Sequence, residues 1–391
     1  MVSSTQHTSV LRALSSFFQN PLARIVGVVF ALDSILFGSW VARIPYIKYH
    51  LQLNDAELGL ALFAMPIGSI VMNPFTGRII RQWGSARACL WGGVSFFLSI
   101  LLPINATNVY LLGAGLFIMG VCTALLNVSM NTCASNLERS EGIRIMSTCH
   151  GMWSLGGMLG SALAGALIWA NVSAPVHILV VSLTLVALMI SVQKLLLTIP
   201  EENTTNASSF ARPTRALIIL IVIGLTISMG EGLAFDWSAI YMREIALASD
   251  SVSALGFAFF SLAMTTGRFI GDIIIPRYGG RPLLITGGIV GASGLLLAIL
   301  LPTPSLVLGG FLILGFGCSL GAPMLYAASM QLPNTVPAAG LATFATFSFI
   351  GFMAGPPIVG FVAEAYGLQF GLLLVAVLLL MGAGLSRWAR V

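Results

Sequence analysis

Long uncharged stretches alternate with short charged clusters along this chain. Lys, Arg, Asp and Glu are absent from residues 58–77, 88–137, 145–193, 282–363 and 365–386. A helix needs about 20 apolar residues to cross the hydrocarbon core of a bilayer, so the longest stretch, of 82 residues, holds three crossings. Because lipid offers an open backbone no hydrogen-bond partner, these stretches must be helices.

The pattern predicts an all-α membrane protein with twelve transmembrane helices in two six-helix bundles. The predicted spans lie near 22–43, 57–76, 88–105, 109–131, 146–170, 175–195, 216–238, 253–275, 283–302, 304–327, 339–362 and 368–386. Residues 198–215, rich in Ser, Thr, Asn and Pro, predict a flexible cytoplasmic linker. We therefore expect an N-terminal cytoplasmic segment at 1–21, bundles at 22–197 and 216–391, and this linker between them.

Composition agrees with a lipid environment. Hydrophobic residues make up 57% of the chain and charged residues 8%, whereas soluble domains carry about a quarter charged residues. The net charge of +5 does not indicate nucleic-acid binding, because the basic residues lie in small groups between hydrophobic runs. The five cysteines show no metal-ligand spacing, so we expect neither a metal site nor a cofactor.

The basic residues also predict the orientation. With twelve spans both termini lie on one side, and fifteen of the 18 Lys and Arg residues fall on that side. Only Arg43, Lys48 and Arg243 fall on the other. Cytoplasmic loops carry an excess of Lys and Arg, so both termini and the linker are predicted to be cytoplasmic, in a cytoplasmic (inner) membrane.

The two halves of the chain are similar in sequence. Shifting the first half by 197 residues aligns Trp40 with Trp237. The same shift places LGLALF at 58–63 over LGFAFF at 255–260. Repeated halves are typical of secondary transporters, in which rocking of one half against the other exposes a central cavity to each side in turn.

Two stretches, one just after the second predicted span and one beginning within the last turns of the eighth, share a pattern of glycine and charged residues. They contain Gly77, Arg78, Arg81 and Gly84 in the first copy and Arg268, Gly271 and Asp272 in the second. This pattern resembles the signature of the major facilitator superfamily, although Arg81 stands where that family usually has aspartate. The resemblance covers essentially the whole chain and implies the major facilitator fold, with a conformational latch formed by these residues. Arg268 and Asp272, four apart on one helix, are expected to form its better preserved part.

Further motifs are similar to one branch of that superfamily. They are Trp40-x-Ala-Arg43-x-Pro45, Met130-Asn131, His150-Gly151 with Ser154-x-Gly156, and Glu231-Gly232 with Asp236-Trp237. These residues resemble the YbjJ-type branch, which is placed near sugar-type permeases. The resemblance therefore implies fold and transport, but it does not define the substrate.

Three acidic residues lie inside predicted spans: Asp33 in the first, and Glu231 and Asp236 in the seventh. An ionisable side chain inside a bilayer costs roughly 2.5–3.5 kcal/mol on insertion scales, so its presence needs a reason. Under the repeat, Glu231 aligns with Ser34, which predicts that Glu231 and Asp33 lie at similar depth. We predict that one or more of the acids binds a proton or a polar substrate group. The alternative is a static hydrogen bond or salt bridge.

Seven further residues are candidates for lining a substrate cavity. They are Phe37, Trp40, Arg43, Asn127, Asn131, His150 and Trp237. The two aromatic residues from the first span share a helix face with Asp33, an arrangement that suits sugar-like or amphipathic ligands. Packing between helices would explain the same aromatic residues, and the asparagines could equally join neighbouring helices. Asp236 could pair with Arg43 or Arg243.

These features predict a secondary transporter, rather than an enzyme, for a small polar or amphipathic solute. Its expected partners are that solute, protons coupled through the acids, and the lipid bilayer. We expect the protein to be a monomer. Sugar-like solutes are favoured, and an exporter of drugs or metabolites is the alternative. A membrane-embedded enzyme would need a convergent nucleophile and base, which the sequence does not show. A non-transporting sensor would be expected to carry a soluble domain.

Overall fold

The computed structural model describes residues 17–143, 145–201, 211–212, 214–333, 335 and 337–389, without the side chains of 272, 273, 337 and 338. Among them, twelve helices are long and apolar enough to cross a membrane, which confirms the predicted number. In chain order the helices are α1 (Pro21–Val41, continuing as Ile44–His50), α2 (Asp55–Trp83), α3 (Ser85–Ser99, then Leu101–Ile104), α4 (Val109–Glu141), α5 (Met146–Trp169), α6 (Ala174–Leu196), α7 (Arg215–Glu244), α8 (Asp250–Ser253, then Leu255–Tyr278), α9 (Gly280–Leu300), α10 (Pro304–Ser319, then Gly321–Met330), α11 (Pro337–Tyr366) and α12 (Leu368–Leu385). The predicted linker lies largely outside the described residues.

Several helices extend beyond their predicted spans because polar caps, rather than lipid contact, set their ends. At the start of α2, the Asn54 side chain accepts a hydrogen bond from the Glu57 N–H, and the Glu57 carboxylate accepts one from the Asn54 N–H. This reciprocal pairing satisfies two backbone donors that the first turn leaves free. At the other end, Gly84 adopts φ +82°, a conformation that favours glycine, and stops the helix.

The first helix is interrupted near its end by a short turn at Ala42 and Arg43. Pro45 follows directly and has no N–H to continue the ladder to the carbonyl of Val41. The Arg43 N–H instead donates to the Trp40 carbonyl, 2.8 Å away, which tightens the last turn. The interruption turns the Arg43 side chain away from the helix ladder and towards α6.

The two halves of the described chain pack their helices in the same way. In the first half α1 contacts α5 and α6, α4 contacts α2 and α3, and α3 contacts α6. In the second half α7 contacts α11 and α12, α10 contacts α8 and α9, and α9 contacts α12. Each pair corresponds to the pair six helices earlier, so the structure has two pseudo-symmetric six-helix bundles. The residue boundaries predicted for the bundles stay predictions.

The halves meet along two equivalent interfaces, α5–α8 and α2–α11. We call the end of the molecule where α1 begins and α12 ends the terminal face, and the opposite end the far face. At the far face, a Cβ added to Gly165 of α5 would lie 3.0 Å from the Ser251 carbonyl oxygen. A Cβ added to Gly360 of α11 would lie 2.5 Å from the Asp55 carbonyl oxygen. Glycine therefore allows both interfaces to close tightly at this end.

Candidate functional site

A small cavity lies between the two halves. It is lined by Trp153, Ser154, Glu231, Phe235, Phe257, Phe260, Ser261, Met264 and Phe352, which come from α5, α7, α8 and α11. We call it the central cavity. It encloses about 20 Å³, which is room for about one water molecule. In this conformation the halves are therefore too close together to hold a larger solute there.

Glu231 is the acidic residue that lines the central cavity. Its Oε1 atom is buried and has no hydrogen-bond partner among the described residues. Arg268 interacts electrostatically with this carboxyl group, but its guanidinium donates to the Ser154 hydroxyl, 2.7 Å away. Buried polar atoms are nearly always hydrogen-bonded, so an exception at a cavity wall indicates a group that is available to a proton or a ligand.

Asp33 is buried beside the wall of the central cavity. Its side chain is 2% exposed, and its Oδ2 atom accepts a hydrogen bond of 2.7 Å from the Trp153 indole N–H. Asp33 does not line the central cavity in this conformation, and its bond to Trp153 is a static hydrogen bond of the kind considered as the alternative. Binding of a proton or a substrate group by Asp33 stays a prediction. Asp33 fixes the orientation of the indole ring, and that ring forms one wall of the cavity.

Asp236 is buried and does not line the central cavity. Neither of the two arginines considered as its partners forms an ion pair with Asp236 among the described residues. Arg243 forms an ion pair with Asp250, with 3.0 Å between the nearest nitrogen and oxygen atoms. Arg43 donates from Nε to His177 Nδ1 at 3.0 Å. A role for Asp236 in proton coupling stays a prediction.

The aromatic cavity candidates lie in close-packed protein. Trp40 and Trp237, which the repeat aligns, are both buried. Phe37 is also buried, and its ring meets the edge of Phe235 with 5.4 Å between ring centroids. None of the three lines the central cavity in this conformation. In this conformation Trp40 and Trp237 pack between helices, which was the alternative considered for them. Phe37 packs against Phe235, which lines the cavity.

The polar cavity candidates on α4 and α5 lie away from the central cavity. His150 is exposed, and its ring packs against the edge of Phe30 with 5.4 Å between centroids. Asn127 is exposed as well, and its carbonyl oxygen accepts a hydrogen bond of 2.8 Å from the Asn131 side-chain amide. The asparagines therefore bond along their own helix. Substrate contact by these three residues stays a prediction.

The second copy of the glycine–charge signature connects the two halves through Arg268. Its hydrogen bond to Ser154 runs from α8 to α5. Gly271, one turn further, packs on α10, where an added Cβ would lie 2.7 Å from the Leu320 side chain. The side chain of Asp272 lies outside the described part of the structure, so its pairing with Arg268 stays a prediction.

The first copy of the signature lies at the terminal end of α2. Arg78 and Arg81 are exposed there, and Gly77 has free space around its Cβ position. Gly84 forms the turn into α3, and the Glu201 carboxylate accepts a hydrogen bond of 3.1 Å from the Ala86 N–H in the first turn of α3. These contacts hold the α2–α3 turn within the first half.

A charged cluster joins the halves at the far face. Lys48 at the end of α1 lies 2.6 Å from both Asp55 of α2 and Glu244 of α7. The Tyr49 hydroxyl donates to the same Glu244 carboxylate at 2.9 Å, and the Asp55 N–H donates to Glu364 of α11 at 3.1 Å. We call these five residues the far-face charge network. It fastens α1, α2, α7 and α11 to each other.

Sequence reasoning missed most of the cavity wall. Trp153 and Phe260 were not among the residues predicted to line a cavity, and their contacts join helices that are distant in the sequence. One signal was available for Phe235, which lies four residues after Glu231 and therefore on the same helix face. Ser154 was noted only as part of a motif, and its bond to Arg268 spans 114 residues.

The architecture and the cavity define a class: a multi-pass α-helical membrane protein built from two like halves around a site at their interface, as in secondary transporters. The chain belongs to the major facilitator superfamily, whose family model, described as Major Facilitator Superfamily, matches residues 25–339. It is therefore a transporter of that superfamily with a small-molecule substrate, and the enzyme alternative does not fit. Assignment to the YbjJ-type branch stays a prediction.

Relatives support this membership along the whole chain. A major-facilitator-type transporter of Yersinia pestis is 30% identical over 92% of this chain and 94% of its own length. A transporter of Sinorhizobium fredii is 31% identical over 88% of this chain and 91% of its own length. The membrane protein MosC of Rhizobium meliloti is 27% identical over 90% of this chain and 86% of its own length.

Solved structures show the same fold. The nucleoside transporter NupG matches with a TM-score of 0.72 at 16% identity, over 95% of this chain and all of that one. A bacterial homologue of the human lysosomal transporter Spinster, in an inward-facing and occupied conformation, matches with a TM-score of 0.70 at 14% identity, over 95% of this chain and 96% of that one. At such identities the likeness concerns the fold alone.

Proposed function

We propose that this protein is a secondary active transporter of a small polar or amphipathic solute, working by alternating access and coupled to protons through Glu231. It resides in the cytoplasmic membrane with both termini cytoplasmic, as the distribution of Lys and Arg indicates. The observation that carries the proposal is the Glu231 carboxyl group, which lines the central cavity with one buried oxygen unpaired. Such a group can exchange a proton whenever a solute enters or leaves.

The size of the central cavity supports alternating access. At about 20 Å³ it admits no solute larger than water, so the halves must separate for binding. The far-face charge network closes one route between the halves. Entry in this conformation is therefore expected from the terminal face, and passage to the other side requires the network to open.

The cavity wall favours a solute that has both hydroxyl groups and apolar faces. Trp153 offers an indole ring whose orientation Asp33 fixes, and Ser154 and Ser261 contribute hydroxyl groups. Aromatic faces pack against C–H groups while an acid such as Glu231 accepts hydrogen bonds from hydroxyls. Sugar-like solutes fit this combination, and the nucleoside substrate named for NupG also contains a sugar. The four phenylalanines of the wall favour a second candidate function, export of amphipathic compounds.

The test is transport-driven proton movement in liposomes that contain the purified protein and a pH-sensitive dye. Hexoses, nucleosides and amphipathic dyes serve as probes. We expect at least one class to move protons with the parent protein. Glu231→Gln should reduce that movement by about tenfold or more, because even one lost hydrogen bond to a charged group, of about 1.5 kcal/mol, corresponds to roughly that factor.

Asp33→Asn is the matched control, since it makes the same carboxyl-to-amide change beside the cavity wall. Its remaining carbonyl oxygen can still accept from Trp153, so proton coupling should persist. Equal proton movement in Glu231→Gln and the parent would refute coupling through Glu231. Equal losses in both variants would refute the separate roles given to the two acids.

A further inference from the structure

A second and larger cavity opens at the far face, away from the central cavity. It measures about 360 Å³, within the range of small-ligand sites. It is lined by Ala42, Arg43, Pro45, Tyr46, Tyr49, His50, Ile168, Arg243, Asp250 and Ser253. These residues come from α1 and α5 of the first half and from α7 and α8 of the second. We call it the far-face cavity.

Arg43 supplies a buried positive charge at the wall of this cavity. Its side chain is 6% exposed, and guanidinium groups stay protonated in proteins. It donates from Nε to His177 Nδ1 at 3.0 Å and from one terminal nitrogen to the Val172 carbonyl oxygen at 2.8 Å. Both acceptors are neutral. None of the ion pairs formed by the described residues includes Arg43.

Arg43 forms no ion pair with the other charged groups of the wall, although Asp250 attracts it electrostatically. Asp250, the acid in the wall, is paired with Arg243 at 3.0 Å. Arg243 also stacks over the Tyr49 ring, 4.1 Å from its centroid. The wall thus holds two arginines and one aspartate, and because a buried charge that is not fully balanced is costly, an anion in the cavity would reduce that cost. The charge of the wall therefore favours a ligand with a single negative charge.

The rest of the wall suits a carbon skeleton. The rings of Tyr46 and His50 stack with 5.3 Å between their centroids, and Ile168 and Pro45 add apolar surface. A small inorganic anion would leave most of the volume and these rings without contact. A carboxylate attached to a ring or a short hydrocarbon would place its charge on Arg43 and its apolar part against the rings.

We propose that the far-face cavity binds a small organic carboxylate, held by Arg43 and the rings of Tyr46 and His50. Because both halves form its wall, the bound carboxylate stabilises the conformation in which the far face is closed. This inference goes beyond the proposed function and is independent of it, since it involves neither the central cavity nor proton coupling. It gives the protein a second ligand site on the side opposite the terminal face.

The test is thermal unfolding of the purified protein with benzoate, with the neutral isostere benzamide, and with sulfate. We expect benzoate to raise the unfolding midpoint by about 2 °C or more, and the other two to leave it unchanged. Arg43→Gln should abolish the benzoate effect. Arg24→Gln, which removes an exposed arginine near the terminal face on the same helix, should retain it. No transport assay is involved, so a failure here leaves the proposed function standing.

A second variant keeps the proposal testable if Arg43→Gln does not fold. Ile168→Trp adds bulk to the cavity wall without changing charge, and we expect it to abolish the benzoate effect as well. Equal stabilisation by benzamide or sulfate would overturn the assignment to a carboxylate with an apolar part. A benzoate effect that persists in Arg43→Gln or in Ile168→Trp would overturn the assignment to this cavity.

Discussion

The α5–α8 and α2–α11 interfaces are equivalent under the repeat, yet they differ in how far they are packed. Along α5–α8, contacts between the halves continue from the far face towards the terminal face. In that order they are Ser161 with Ala254, Gly157 with Phe257, Ser154 with Arg268, and Gly151 with Phe269. This interface is therefore closed over most of its length.

Along α2–α11, the close contacts lie near the far face. There a Cβ added to Gly59 would lie 2.5 Å from the Pro356 carbonyl oxygen. Nearer the terminal face, large apolar side chains of both helices are exposed: Ile67, Ile70, Val71, Phe349 and Ile350. Of the most apolar segment of α2 28% is buried, against 61% for that of α8, so α2 is the more exposed of these two equivalent helices. The two halves are therefore held together asymmetrically, at the far face and along α5–α8.

Removing Lys48, the centre of the far-face charge network, should increase opening of the far face more than any other change considered. Lys48→Met leaves Asp55 and Glu244 without their shared cation, and the Lys48 side chain is 9% exposed. Breaking a buried ion pair costs about 3 kcal/mol, which corresponds to roughly a hundredfold increase in far-face opening. Amide hydrogen exchange at the far ends of α1, α2 and α7 should accelerate accordingly.

The same measurement tests the asymmetry. Exchange at the start of α2 should accelerate more than exchange at the start of α8, because α8 keeps its contacts with α5. Arg24→Gln is the control, since it removes an exposed cation outside both the network and the latch. Equal acceleration at both helices would contradict the comparison of the two interfaces.

A smaller effect is expected from adding a methyl group to the close contact of α2–α11. In Gly59→Ala the new Cβ would meet the Pro356 carbonyl oxygen, and a backbone atom cannot rotate away. Overpacking of this kind costs about 1–3 kcal/mol, so the thermal unfolding midpoint should fall.

Gly77→Ala is the matched control on the same helix. The nearest atom to its Cβ position is an Arg81 side-chain nitrogen at 3.9 Å. Alanine favours a helix over glycine by roughly 0.5–1 kcal/mol, so this variant should be neutral or slightly more stable. Equal decreases of the unfolding midpoint in the two variants would show that the close contact of Gly59 with Pro356 adds nothing to the cost of the new methyl group.

The sequence predicted the features that depend on local composition. The number of spans follows from where charges are absent, and Glu231 stood out because an acid inside a bilayer is costly. The equivalent helix pairs of the two halves agree with the aligned Trp40 and Trp237. These features need no knowledge of which helices touch.

The contacts that shape the site could not be predicted because they join distant residues of one sequence. The Trp153–Asp33 bond spans 120 residues, and the Lys48–Glu244 pair spans 196. Helical periodicity places Asp33 on a face but does not say which helix covers that face. The sequence therefore left both a proton or substrate role and a static hydrogen bond open for Asp33, and it could not identify Trp153 as the partner. Likewise Arg268 was recognised, but its bond to Ser154 depends on how α5 and α8 pack.

The loss of the hydrogen bond from Arg268 to the Ser154 side chain should weaken the contact between the halves least. Ser154→Ala removes this acceptor, at 2.7 Å, and should weaken the interface by about 1.5 kcal/mol, or roughly tenfold in its opening, because the donor is charged. Amide exchange in α5 around Gly151 should rise by that factor. Ser154 also donates to the His150 carbonyl of its own helix, so the control is Ser191→Ala, in which an exposed serine loses only a bond within α6. An increase confined to Ser154→Ala shows that the contact between halves matters. If both variants behave alike, glycine packing and Phe269, rather than Arg268, keep α5–α8 closed.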